Sequence, residues 1–560
     1  MNSLTKKDLF RQSLIGTSVL ILSLVFLTSG YSFGYGEQML LSVKGISWAD
    51  PNAFVGDWFN NQAPQPHVLF DVITYFGEKI HFLDGIYLLY YLASCFIFAA
   101  GTALLADRWL SDRFKYLQHL VNALSVIGPY FVLGTFLNIH QQAVPNMAGG
   151  CIAYFAIACL LTQRDTWAAV AIVSASLFHL QHGIAISSVA ILFVILQLVD
   201  RRALLLASST VALFFSISTA VYRDLLSGSS EVANQLAETG STGHFNVETW
   251  PRSEITSGLL FLLIACCNFL LPGSAKKKKT TFLALVIIAL APVIGIASDL
   301  YNIEPFQSMA RSFFVYRYSM ILAPFACWFI VRTLSNAGMN RKYIALVSAL
   351  FFIFSYQKFF QTTFTALPQF GSLYLGLMLL ITVLIERISV MKPKIRTMTS
   401  VFILSSVFML ATNVSINQFG SRWPALGFSS TDDAVTLSRS MATSLKSNDV
   451  LATDPSIPWL RLFTRRAIVV DCKGIPYGGN PWYEYVRRLE ALGVSRPDQC
   501  VGYKQLSFQQ ILRLPAEVGA TTILLLPDDA AYPEAKETLP IRWTGNQVNP
   551  WIIFELPRAN

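Results

Sequence analysis

Glu37 and Asp57 stand twenty residues apart, just past the first long apolar run of the chain. Their settings are Tyr35-Gly36-Glu37-Gln38 and Gly56-Asp57-Trp58-Phe59. A carboxylate held at a lipid–water boundary, partly desolvated beside apolar walls, gains the basicity that a general base needs. Either residue is therefore a candidate to take a proton from a hydroxyl, and the two together could hold a divalent metal ion. Their plainer reading, as helix caps or solvated loop acids, stays open at this point. His179 and His182, in His179-Leu180-Gln181-His182, fall at i, i+3 and so on one helical face. They and His140, which precedes Gln141 and Gln142, are candidates to line a cavity. No His-Glu-x-x-His pattern supplies further metal ligands.

What must position these residues is a membrane. The chain is 53% hydrophobic and 13% charged, half the charge of an ordinary soluble domain. Its apolar runs have the length that crosses a bilayer. Thirteen spans are expected, at 12–34, 85–106, 117–136, 146–162, 167–182, 184–199, 203–221, 256–272, 281–297, 318–331, 343–357, 370–385 and 398–413. The pair 167–182 and 184–199 could instead be one helix broken at Gly183, which would invert everything after it. Alternate loops hold 20 basic against 6 acidic residues, and the other set 7 against 13. Positive loops stay in the cytoplasm, so the N-terminus is expected inside and the 35–84 loop outside. The net charge of +9 is then a topology signal rather than a sign of nucleic-acid binding. All charges fall outside the middles of the expected spans, which argues against a proton-coupled transporter.

Residues 1–413 are thus expected to form the transmembrane module and 414–560 an extracytoplasmic α/β domain. Strand-like runs in that tail are 449–453, 467–471, 521–526 and 551–556, and helix-like runs are 432–446, 481–492 and 506–518. Cys472 and Cys500 are the two cysteines outside the expected spans, and an oxidising compartment would permit a disulfide between them. The tail has no Walker, GxGxxG or GxSxG motif, so acceptor binding or scaffolding suits it better than a second catalytic centre.

Tyr35-Gly36-Glu37-Gln38 after the first span, then a helical run, then Pro66-His67-Val68-Leu69-Phe70 opening an interfacial helix, resembles the first outer loop of the GT-C glycosyltransferases. The whole plan is similar in outline to the lipid A aminoarabinose transferases and bacterial oligosaccharyltransferases. Gly36 stands where that pattern usually has a first acid, which leaves the choice of base between Glu37 and Asp57 open. The resemblance implies a multi-pass protein of a bacterial inner membrane, surrounded by membrane lipids. It would move a sugar from a polyprenyl-phosphate donor to a glycan, lipid or protein acceptor, with inversion. Arg252, Arg311 and Arg317 would meet the leaving phosphate. His67, His140, His179, His182 and Tyr316 would line the cavity. The long 222–255 loop would close over substrate. An O-antigen polymerase or ligase-like enzyme, or a polytopic transporter or flippase, are the alternatives.

Overall fold

The computed structural model describes residues 33, 37–63, 67–127, 133, 144–218, 232, 235, 238–239, 246–250, 252–271, 278–304, 306–313, 315–335, 433–476, 479–546 and 550–558. The expected spans at 12–34 (save Phe33), 343–357, 370–385 and 398–413 lie outside these residues, as does His140.

Among the described residues three helices precede the first long one: α1 (Gln38–Ala49), α2 (Trp58–Gln62) and α3 (Val68–Lys79). The α4 helix (Leu83–Trp109) then runs 27 residues, about 40 Å, enough to cross ~30 Å of hydrocarbon. After it come α5 (Gln118–Ile127), α6 (Pro145–Leu161), α7 (Asp165–Phe178), α8 (Leu180–Ile195), α9 (Arg202–Ser218), α10 (Arg252–Cys267), α11 (Lys278–Leu300), α12 (Phe306–Phe313) and α13 (Tyr318–Ser335). Among the described residues α4 and α11 have the length and apolarity of a span, and α6 to α9 and α13 are shorter apolar helices packed with them.

The weakest span pair resolves into two antiparallel helices. Asp165, at the start of α7, accepts bonds from the backbone N–H groups of Asp200 and Arg201 beyond the end of α8, at 2.9 and 2.7 Å. The far ends of the two helices therefore meet. The turn is at His179, whose backbone is extended (φ −155°, ψ 112°), and not at Gly183. Gly183 serves the packing instead. A Cβ there would come within 2.4 Å of the Ser176 Cβ on the facing helix.

Arg108, Gln163, Asp200, Arg202 and Thr281 line one cavity of about 210 Å³. Arg108 is in the last turn of α4 and Thr281 in the first turn of α11, while Gln163 and Asp200 lie in the connections between helices, so these helix ends meet at one place. Arg332 departs from expectation. Helix α13 runs on to Ser335, so this arginine lies within it. It is buried, donating to the carbonyl of Asn268 at 2.6 Å and stacking over Trp109.

Residues 433–558 form a five-stranded mixed sheet with flanking helices. Its strands are β1 (Val450–Ala452), β2 (Ala467–Ile468), β3 (Thr522–Leu525), β4 (Ile541–Thr544) and β5 (Ile552–Glu555), in the order β2-β1-β3-β5-β4. The first three are parallel, and β5 runs antiparallel to β3 and β4. Helices α14 (Asp433–Ser444), α15 (Trp459–Thr464), α16 (Gly479–Ala491), α17 (Phe508–Val518) and α18 (Tyr532–Thr538) cover it. Ser507 and Gln510 cap α17 reciprocally and Gly519 ends it in a left-handed turn, so both ends were marked in the sequence.

Cys472 and Cys500 are disulfide-bonded, with Cα atoms 6.0 Å apart. Closing a loop of 28 residues is worth roughly 3 kcal/mol through the unfolded chain. Cys500→Ala is expected to lower the unfolding free energy of the tail by that amount, read as a lower chemical-denaturation midpoint at unchanged slope. An unchanged midpoint would make the bond incidental.

Candidate active site

Residues 37–63 and the tail pack against one another. Leu40, Trp58, Phe59 and Ala63 belong to the same apolar core as β3, β5 and α16. The Arg461 guanidinium sits over the Phe59 ring and that of Arg488 over Trp58. At the centre of this contact lies Asp57, which is fully buried. Its Oδ1 accepts from the Asn60 N–H, capping α2, and its Oδ2 accepts from Arg461 Nε at 2.9 Å and from the Ile468 N–H at 3.2 Å. Arg461 also pairs with Asp471. Both oxygens of Asp57 are thus spent on structure. Of the two candidate bases it is the one to set aside, since its carboxylate is committed to the Arg461 ion pair and the α2 cap.

Glu37 stands immediately before α1, half-buried, with helical backbone angles and no side-chain bond to the cap. Below it a hydrogen-bond chain joins three elements. Tyr87 of α4 donates to Ser42 of α1 at 2.8 Å, and Tyr87 and Thr74 of α3 share a bond of 2.6 Å.

Three of the expected cavity histidines converge. His67, which opens α3, stacks on His179 with ring centroids 5.3 Å apart, and His179 meets His182 at 4.8 Å. His67 Nδ1 lies 3.1 Å from the carbonyl of Phe178. A carbonyl only accepts, so Nδ1 carries the proton and Nε2 is the basic atom of the neutral ring. His182 Nε2 pairs with the Asn146 amide at 2.8 Å. Gly149 of α6 permits the approach, since a Cβ there would meet His182 at 2.8 Å and His179 at 2.9 Å. Among the described residues no group of three or more His, Cys, Asp or Glu side chains has metal-site geometry.

The arginines are less uniform. Arg252 opens α10 and is exposed. Arg311 is buried on α12 and its Nε donates to Asp299 at 2.7 Å. Asp299 also accepts from the Val247 N–H and from Gln307, so Arg311 helps to hold three segments together. Arg317 ends a short turn, Val315–Arg317, and its side chain lies outside the described residues. Tyr316 corrects an expectation. It is fully enclosed, its hydroxyl donating to the Gly295 carbonyl and its ring edge-on to Trp250, and so packs the bundle rather than lining a cavity.

Sequence reasoning passed over Asp71. It lies on α3 with Phe70, Thr74 and Gly77, all buried, and is itself only 2% exposed. That i, i+3, i+6 pattern was the available signal: an acid on the apolar face of an amphipathic helix. Burial pushes its carboxyl up to about 8, against a smaller pull from Lys44. The folded chain therefore holds a proton on Asp71 up to about pH 8, whereas the unfolded chain releases it near 4. Between those values the folded state binds the extra proton, so stability falls as pH rises. Asp71→Asn is expected to flatten that decline when melting temperature is followed from pH 5 to 9. A wild-type melting temperature that rises with pH through 8 would contradict the assignment.

A bundle of apolar helices, an acid-bearing 37–63 segment and an α/β tail packed on it make a GT-C-like fold. No protein family and no curated protein matches the chain. Among solved structures it is similar to ArnT from Cupriavidus metallidurans bound to undecaprenyl phosphate, at 10% identity over 98% of each chain with a TM-score of 0.51. The apo form of that protein aligns at 13% identity over 98% of each chain, with a TM-score of 0.47.

Proposed function

We propose that the chain is an inner-membrane glycosyltransferase that takes its sugar from a polyprenyl-phosphate donor. The observation that carries this reading is the end-to-end likeness to a fold solved with undecaprenyl phosphate bound. In the reaction, Glu37 takes the proton of an acceptor hydroxyl. The hydroxyl oxygen bonds to the anomeric carbon as the bond from that carbon to the phosphate oxygen breaks. Configuration inverts, and polyprenyl phosphate leaves with the electron pair. Arg252, Arg311 and Arg317 are the cations proposed to meet it. The stacked histidines His67, His179 and His182, with His140, form the polar wall of the cavity. The basic loops face the cytoplasm, and the tail with the 35–84 loop faces outward. Part of the 222–255 loop touches the tail, where Gln235 accepts from Trp482 and the Thr239 carbonyl accepts from the Asp498 N–H. That contact suits a segment that closes over substrate.

The test is ligand binding. Undecaprenyl phosphate is expected to raise the melting temperature of the purified protein in detergent, and Arg252→Gln to weaken that effect about tenfold in ligand concentration, the worth of one charge-assisted bond. Equal stabilisation by the unphosphorylated polyprenol would contradict the reading.

A further inference from the structure

A second cavity lies away from the histidines, where the turn between α3 and α4 faces α14 and α15 of the tail. It has a volume of about 350 Å³. Its polar lining is charge-balanced: Arg439 and Arg465 on the tail side, Glu78 and Asp84 on the loop side, with His81 at the turn. Leu83, Leu462 and Phe463 supply apolar wall. Arg465 gives one terminal nitrogen to Glu78 at 3.1 Å and has its other, enclosed, without a hydrogen-bond partner. Arg439 is exposed on α14, and no acid of the described structure pairs with it.

Two backbone positions on this wall are left-handed in residues other than glycine, His81 at φ 54° and Arg465 at φ 56°. Glycine would be easier at both, and each instead carries a side chain to the cavity, a form of strain that gathers at binding sites. The rim is apolar. Ile80 and Phe82, flanking His81, are 59% and 52% exposed, and Phe76 one turn earlier is 58% exposed. Large exposed apolar groups beside an interfacial helix place the mouth at the bilayer surface.

We infer that this cavity holds the headgroup of a zwitterionic membrane phospholipid bearing a phosphate and a primary ammonium. The guanidinium of Arg439, with the enclosed edge of Arg465, suits the phosphate. The carboxylates of Asp84 and Glu78 suit an ammonium that can donate hydrogen bonds. A purely anionic headgroup would leave the two acids facing phosphate, and a trimethylammonium group could not donate to them. The inference is independent of the transferase reading, because it concerns a different cavity and is read without activity.

The full-length protein would be equilibrated in micelles containing equal phosphatidylethanolamine, phosphatidylglycerol and phosphatidylcholine, and its retained lipids counted by native mass spectrometry. Phosphatidylethanolamine is expected to be the lipid that persists at the lowest lipid concentration. Arg439→Gln should reduce its occupancy about tenfold, the loss of one charge-assisted bond, with Arg439→Lys much closer to wild type. Asp84→Asn should move the preference toward phosphatidylglycerol. Equal retention of the three lipids by the wild type, or unchanged phosphatidylethanolamine occupancy in Arg439→Gln, would overturn the assignment.

Discussion

Glu37→Gln is expected to lower sugar transfer by at least about a hundredfold, the usual worth of a general base, while the protein stays folded. Among the described acids of the first outer loop the others are excluded for separate reasons. Asp57 is locked to Arg461. Asp71 is buried, which pushes its carboxyl up to about 8, so at neutral pH it is protonated and no carboxylate is there to act as a base. Glu78 is paired with Arg465, Asp84 accepts from the Gly85 N–H, and Asp50 accepts from the Asn52 N–H. Glu37 is partly buried at the start of α1, and its side chain makes no hydrogen bond to the helix cap. Gln keeps the size and one carbonyl of Glu but cannot take a proton, so the loss should fall on turnover rather than on donor binding. Full activity in Glu37→Gln would move the base elsewhere.

Arg461→Met should have the largest effect on structure. Arg461 is 1% exposed and lies between the two fully buried carboxylates of Asp57 and Asp471. Burial already pushes the Asp471 carboxyl up, against the pull of Arg461 and the N–H of Gly474. Removing the guanidinium leaves two like charges, close together and desolvated. Breaking such an arrangement from one side costs about 3–5 kcal/mol. The tail would loosen from the 37–63 loop, and limited proteolysis should cut at Arg465 or Arg466 many times faster than in wild type. Adding Asp57→Asn and Asp471→Asn should restore much of the resistance, since the triple variant buries no unpaired charge. Resistance unchanged in Arg461→Met alone would show that apolar packing of Trp58 and Phe59 holds the contact without the ion pair.

How much of this the sequence disclosed depends on distance along the chain. The β1, β3 and β5 strands fall within apolar runs with β-branched residues and were legible locally. The β4 strand was not, because Ile541–Thr544 is an edge strand with half-exposed residues and no clear alternation. Short helices such as Trp459–Thr464 give too few turns for a period to show. His179 and His182 were visible as a pair through their spacing. That His67 joins them, from 112 residues away, required the helix turn at His179 that no glycine or proline announced. For Asp57 the helix-cap alternative was legible, since it does cap α2, but its ion-pair partner was not, because that arginine lies 404 residues further on. An ion pair of that separation has no local signature, and the same is true of the Arg465–Glu78 contact. Arg311 was identified as an interfacial cation, but its partner Asp299 was counted only as a loop charge. The helix continuing to Leu300 brings the two together.

The account rests on the donor, so the most direct measurement uses the wild-type protein in nanodiscs with radiolabelled polyprenyl-phosphate sugars and a membrane extract as acceptor source. The account predicts that one donor of the panel is consumed, that its label moves to an acceptor in the extract, and that one polyprenyl phosphate is released for each sugar transferred. Donors that all remain intact, with folded protein that binds undecaprenyl phosphate no better than the free polyprenol, would contradict it.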